Sequence, residues 1–147
     1  MALLPVEEAR SRILKAAKPL PAEDVPLTQA LGRVLARPVR AVRDQPPFDA
    51  SAMDGYAVIA ADVVSTPVSL KVDGTAAAGH AYARRIRSGE AARIFTGAPM
   101  PRGADSVIIQ ENTAVQSQPY VSMLHAVVPG QNVRNRGLDF RRGDVLL

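Results

Sequence analysis

Val68-Ser69-Leu70-Lys71-Val72-Asp73-Gly74 alternates apolar and polar side chains and then meets a dipeptide of turn-forming residues. A period of two places Val68, Leu70 and Val72 on one face of a strand. Working outward, Ala91, Arg93 and Phe95, then Val107 to Ile109, then Tyr120 to Leu124 read as further strands. Ser88-Gly89, Pro129-Gly130 and Arg142-Gly143 supply turns between or after them. The 12 prolines interrupt many of these runs, which excludes long flat strands and favours a compact assembly of short, bent ones. From Val39 onward the chain therefore reads as mainly β.

Helices are expected only before that point. In the stretch from Pro5 to Lys18, Val6, Ala9, Ile13, Ala16 and Ala17 share a broad face. Glu7 and Glu8 stand near its start and Lys15 and Lys18 near its end, the order that the helix dipole favours. Pro19 and Pro21 stop it. A second helix is expected with Thr28 as N-cap, running through Ala30, Leu31, Val34 and Leu35 to a stop at Pro38. The fold class is thus mainly β with N-terminal helices.

Composition narrows the chemistry. The 147 residues contain 47% hydrophobic and 22% charged side chains, ordinary globular usage that disfavours disorder. A net charge of +4, with few aromatic residues and no stacking motif beside the arginines, argues against a nucleic-acid partner. Without cysteine there are no disulfides, thiolate nucleophiles or cysteine-ligated metals, so any chemistry uses oxygen or nitrogen groups. The N-terminus lacks a signal-peptide pattern and no apolar run reaches membrane-spanning length; no membrane partner and a cytoplasmic location are expected. Gly143 to Leu147 read as a turn and the opening of a new strand, as though the chain were cut there.

Three segments carry unusual residue sets. The first, Pro46 to Val58, packs Asp49, Ser51, Asp54 and Gly55 into one loop whose exit, Tyr56 to Ile59, can anchor in a sheet. Such a loop can present Asp54 rigidly; from the residues alone the commoner outcome is an Asx-type turn in which Asp49 and Asp54 accept backbone hydrogen bonds. The second, Arg93 to Asp105, leaves a strand at Thr96-Gly97, where the Thr96 hydroxyl can meet an anion or a hydrated metal or else stabilise a turn. Glu111 is a further carboxylate at a strand end, or simply solvated. The third, Asn132 to Asp139, spaces Arg134 and Arg136 so that an extended chain would point both to one side, as a phosphate clamp or as surface partners of carboxylates. Phosphate-loop, dinucleotide and nucleophile-elbow patterns are absent, and His80 and His125 sit on separate segments.

Together, F-D-x-S-A-M-D-G-Y-A from Phe48 to Ala57, I-F-T-G-A-P-M-P-R-G-A-D from Ile94 to Asp105, V-I-I-Q-E from Val107 to Glu111 and N-V-R-N-R-G-L-D from Asn132 to Asp139 resemble the signatures of the MoeA-type molybdopterin molybdotransferases and the related gephyrin E domain. The resemblance covers essentially the whole chain. It implies a four-domain homodimer of which residues 1–21 are an N-terminal helical segment, 22–40 with 142–147 part of a linker and dimerisation domain, and 41–141 the β-rich domain; the molybdopterin-binding and C-terminal domains lie outside the chain. It further implies a magnesium-dependent reaction of adenylylated molybdopterin with molybdate that releases AMP, a molybdopterin-adenylylating partner protein, and no turnover by this fragment alone.

By the same resemblance Asp54 and Thr96 are the catalytic positions, with Asp54 ordering magnesium through its water shell. Ser51, Arg134 and Arg136 are assigned to substrate binding. Ala50 and Leu138 depart from the family pattern, where asparagine and an acidic residue are common. The alternative reading is a gephyrin-like binding or scaffold module.

Overall fold

The computed structural model describes residues 4–147, which form two compact units, one ending at Pro38 and the other spanning Val39–Leu147. In the first unit, α1 (Val6–Ala16) follows Pro5, whose extended ψ of 143° makes it the residue before the first turn. Glu7 and Glu8 occupy that turn and Lys15 the last one, and Glu8 accepts from Arg12 at 2.6 Å. Ala17 is already extended, two residues ahead of Pro19.

The expected second helix does not form. Leu27–Gln29 makes one 3-10 turn, Ala30 to Arg33 a further turn, and Gly32 takes a φ of +79° that ends any helical path. The pattern of apolar residues there is real, but Leu27, Leu31 and Val34 are more than nine-tenths exposed. Without an apolar surface to cover it, a short amphipathic segment gains too little to stay helical. The class is mainly β with one N-terminal helix.

The second unit is built on a curled sheet of six strands. In chain order its elements are β1 (Ala50–Ser51), β2 (Gly55–Val58), β3 (Val68–Ala76), β4 (Glu90–Ile94), β5 (Ser106–Ile109), β6 (Thr113–Val115), β7 (Tyr120–Met123) and β8 (Val133–Arg134). The sheet order is β5-β2-β4-β3-β7-β6, while β1 and β8 pair separately. β2 runs antiparallel to both neighbours, with Gly55 opposite Ile94 on one side and Ile109 on the other. Val58, Leu70, Ile108, Val121 and Met123 pack into one apolar cluster, and Ala57, Ala76, Ile94, Ala98 and Val107 into a second. Adjacent residues of β2 and β5 thus feed opposite clusters, which is why these strands read as continuous apolar runs rather than alternating ones.

β3 continues through Asp73-Gly74 instead of turning there; its pairing with parallel β4 shifts register between Val72 and Gly74. The Tyr82 ring explains the glycine, because a Cβ on Gly74 would lie 2.9 Å from Cε2 of that ring. The Tyr82 hydroxyl donates to Asp73 Oδ2 at 2.5 Å and Arg84 pairs with Asp73 Oδ1 at 2.6 Å, pinning the crossover between β3 and β4 onto the sheet. Val39 to Ala41 pair with Gly143 to Leu147, so the two ends of this unit meet.

Candidate functional site

The segments around Asp54, Thr96 and Arg134 lie far apart in sequence, and backbone hydrogen bonds stitch them into one surface. Met100 N–H donates to Asp49 O, Ser51 N–H to Ala98 O and Gly97 N–H to Ser51 O, each at 2.9 or 3.0 Å. On the other side of the same loop, β1 pairs with β8, placing Ala50 opposite Arg134 and Ser51 opposite Val133. Asn132 O accepts from Ala52 N–H at 2.9 Å, while the Asn132 amide reaches Val107 O. Gly97 has a φ of +79°, which lets the chain leave β4 and turn back along the Asp49 loop.

Asp54 stands just before β2. Its Oδ1 accepts from the backbone N–H of Thr96 at 2.7 Å and from the Thr96 hydroxyl at 2.8 Å. Those bonds, the backbone one first, hold the Asp54 carboxyl below the usual carboxylate range; partial desolvation opposes them and the nearby Arg93 guanidinium assists. Oδ2 accepts no hydrogen bond among the described residues and the side chain is exposed. The peptide that follows is equally fixed: Gln110 N–H donates to Asp54 O, and a Cβ on Gly55 would lie 1.9 Å from Ile108 O. Only glycine permits β5 to come this close.

Ser51 is fully buried; its hydroxyl donates to Met53 O at 2.6 Å and accepts from Met53 N–H at 3.3 Å, closing the local loop. Arg134 donates to both carboxylate oxygens of Asp139 at 2.8 Å. Arg136 Nε donates to Asp44 at 2.6 Å, and its backbone N–H to Asp49 Oδ1 at 2.7 Å. The strand ends at Arg134, and the two guanidinium groups engage different carboxylates rather than one clamp. Asp49 and Asp54 do accept backbone hydrogen bonds, but from residues 87 and 42 positions away, not within a local turn. Glu111 lies in an exposed 3-10 turn, where its carboxylate meets only the Gln110 amide at 3.4 Å.

Arg93, on the strand before Thr96, had no expected role at the site. Its guanidinium lies over the rings of Tyr56 and Phe95, 5.2 and 4.9 Å from their centres, and donates to Gly55 O and to Gln110 Oε1. The available signal was the i, i+2 spacing of Arg93 and Phe95, which puts both side chains on one strand face. No group of three or more metal-ligating side chains comes together among the described residues. The site can therefore offer one ordered carboxylate and a neighbouring hydroxyl, but among the described residues not a complete protein cage for an ion.

The family described as the MoeA N-terminal region (domain I and II) matches residues 4–147. The chain is 36% identical over 146 residues to a molybdopterin molybdenumtransferase of Haemophilus influenzae, covering 99% of this chain and 36% of that protein. It is 44% identical over 129 residues to one of a Nostoc species, covering 85% of this chain and 29% of that protein. A crystal structure of the molybdopterin biosynthesis moeA protein from Pyrococcus horikoshii OT3 superposes with a TM-score of 0.79 at 38% identity, covering 85% of this chain and 34% of that one. The chain spans about a third of the length of these relatives.

Proposed function

The chain belongs to the family of MoeA N-terminal regions, and on that premise we propose that it forms the N-terminal part of an enzyme that inserts molybdenum from molybdate into adenylylated molybdopterin, with release of AMP. The observation that carries this reading is the double hydrogen bond from Thr96 to Asp54, made where the loops of two separate motifs are laced together. The relatives, which are molybdopterin molybdenumtransferases, supply the reaction class.

The residues fit magnesium of a particular kind. Magnesium takes hard oxygen ligands, keeps several waters and is commonly held by one or two carboxylates together with substrate phosphates. Asp54 Oδ2 offers one such oxygen, directly or through water, and the absence of a three-ligand cluster among the described residues accords with an ion held mostly by water and substrate. An ion held there by Asp54 would supply neutralisation of phosphate charge for phosphoanhydride cleavage. This chain's own residues do the orienting. Thr96 fixes the carboxylate plane, and its hydroxyl, whose proton goes to Asp54, keeps lone pairs that can accept a hydrogen bond from an ordered water. Ser51 shapes the loop from within rather than touching substrate. Arg134 and Arg136, exposed and with N–H groups beyond their ion pairs, are assigned to substrate oxygens.

Contacts to the dithiolene and to molybdate fall to parts of the protein beyond this third. In this reading residues 22–40 and 142–147 contribute to a linking and dimerisation domain, and the β-rich domain comprises 41–141. The protein is a cytoplasmic homodimer that receives its substrate from an adenylylating partner. No helix among the described residues is long and apolar enough to cross a membrane. The open apolar side chains of Leu27, Leu31 and Val34 support a partner surface in the first unit.

The test supplies adenylylated molybdopterin, molybdate and magnesium to a full-length protein carrying this chain and, separately, to the 147 residues alone. AMP release by the full-length protein only is the expected result. Turnover by the isolated chain would show that the site is misplaced, and none by the full-length protein would overturn the assigned reaction.

A further inference from the structure

We propose that Arg93 is the positioning residue of this site, the side chain that holds Asp54 and Thr96 in mutual register. The inference rests on the proposed function for its purpose, but its geometry stands independently. Arg93 lies opposite Tyr56 in the β2–β4 pairing, two residues beyond Asp54 on one strand and three before Thr96 on the other. Its Nη1 donates to Gly55 O at 3.1 Å, immediately after Asp54, and its Nη2 to Gln110 Oε1 at 2.7 Å. Gln110 in turn donates its backbone N–H to Asp54 O at 3.1 Å. Arg93 and Gln110 thus fix the successive carbonyls of Asp54 and Gly55, while the Arg93 guanidinium packs over Phe95, the residue before Thr96.

Both partners of the Asp54–Thr96 bond are therefore braced by one cation. The arrangement needs arginine. A planar guanidinium can reach two acceptors at its edge while its faces meet the Tyr56 and Phe95 rings, whereas a lysine ammonium is a single point with neither fork nor faces. Arg93 touches no atom of the Asp54 carboxylate through a hydrogen bond; it acts through the backbone on either side.

Amide hydrogen exchange on the chain gives the direct test. In Arg93→Met, which keeps the stem but removes the fork, the Thr96 N–H should exchange at least about tenfold faster, since local opening then costs less. The Val107 N–H, bonded to Gln131 O away from Arg93, should keep its rate. Arg93→Lys, which retains charge and stem and is the variant to rely on if the methionine form does not fold, should give an intermediate Thr96 rate. In the full-length protein, the magnesium concentration for half-maximal AMP release should rise in the same order while thermal stability holds. A Thr96 rate equal to wild type in the folded variants would overturn the proposal. Loss of the Thr96 response and absence of AMP release by the unsubstituted full-length protein are separate results, the first against Arg93 and the second against the assigned reaction.

Discussion

Thr96 gives both its backbone N–H and its hydroxyl to a single oxygen of Asp54, across 42 residues of sequence. The bond joins the end of β4 to the start of β2 and leaves the second carboxylate oxygen open. The two donors are separable. Thr96→Val keeps the backbone N–H and the β-branched shape but deletes the hydroxyl, so the fold should be retained while AMP release by the full-length protein falls at least about tenfold, the scale of one hydrogen bond to a charged group. Wild-type turnover by this variant would show that the hydroxyl serves only the loop.

Two glycines near this bond should respond differently to a methyl group. Gly55→Ala puts a Cβ within 1.9 Å of a backbone oxygen of β5, so the strand pair must separate, at a cost of about 3 kcal/mol or more. Gly97→Ala meets no atom within 4 Å and carries only the strain of its positive φ, roughly 1–2 kcal/mol. Urea denaturation of both variants measures the contrast. Equal losses would mean that β2 and β5 are not in this close register.

The ties that close the second unit should weaken in acid. Asp44 accepts from the Arg142 backbone N–H and from the Arg136 guanidinium; these interactions, in that order, hold its carboxyl below its ordinary value of 3.8. A carboxyl depressed in the folded state contributes stability that is complete above the unfolded value and is lost as pH falls through the folded one. The stability difference between wild type and Asp44→Asn should accordingly shrink as pH drops below about 3.8. A difference that stays constant into that range would assign the tie to shape rather than charge.

The apolar side chains of the first unit predict self-association. Leu27 and Leu31 are 91% and 98% exposed, and each gains roughly 1.5–3 kcal/mol from full burial. Sedimentation should show a concentration-dependent dimer of the chain, reduced to monomer by Leu27→Lys with Leu31→Lys. A wild-type chain that stays monomeric throughout, or a dimer untouched by the lysines, would contradict a partner surface here.

What the sequence disclosed and concealed follows from the range of the interactions involved. The apolar runs of β5 and β7 and the alternation that opens β3 are local signals, and they identified strands. The helix expected after Thr28 had the right period but not a surface to bury it, and period alone does not reveal that. Asp73-Gly74 looked like a turn because the reason for its glycine, the Tyr82 ring, comes from another segment. At the site, the motifs named Asp54 and Thr96 separately, yet nothing in either stretch states that one bonds the other. Arg134 and Arg136 were readable as a clamp or as ion-pair partners; their pairing with Asp139 and Asp44 depends on how the third segment folds back over the first.

We assign the open Asp54 oxygen to magnesium-dependent molybdenum insertion. The most direct test is Asp54→Asn in a full-length protein carrying this chain, assayed for AMP release across magnesium concentrations alongside thermal unfolding. The amide preserves an acceptor for Thr96 while removing the charge that attracts the cation. Turnover should fall by at least about a hundredfold with the fold intact, as expected for loss of a principal electrostatic group. Wild-type turnover by a folded Asp54→Asn protein at limiting magnesium would contradict it.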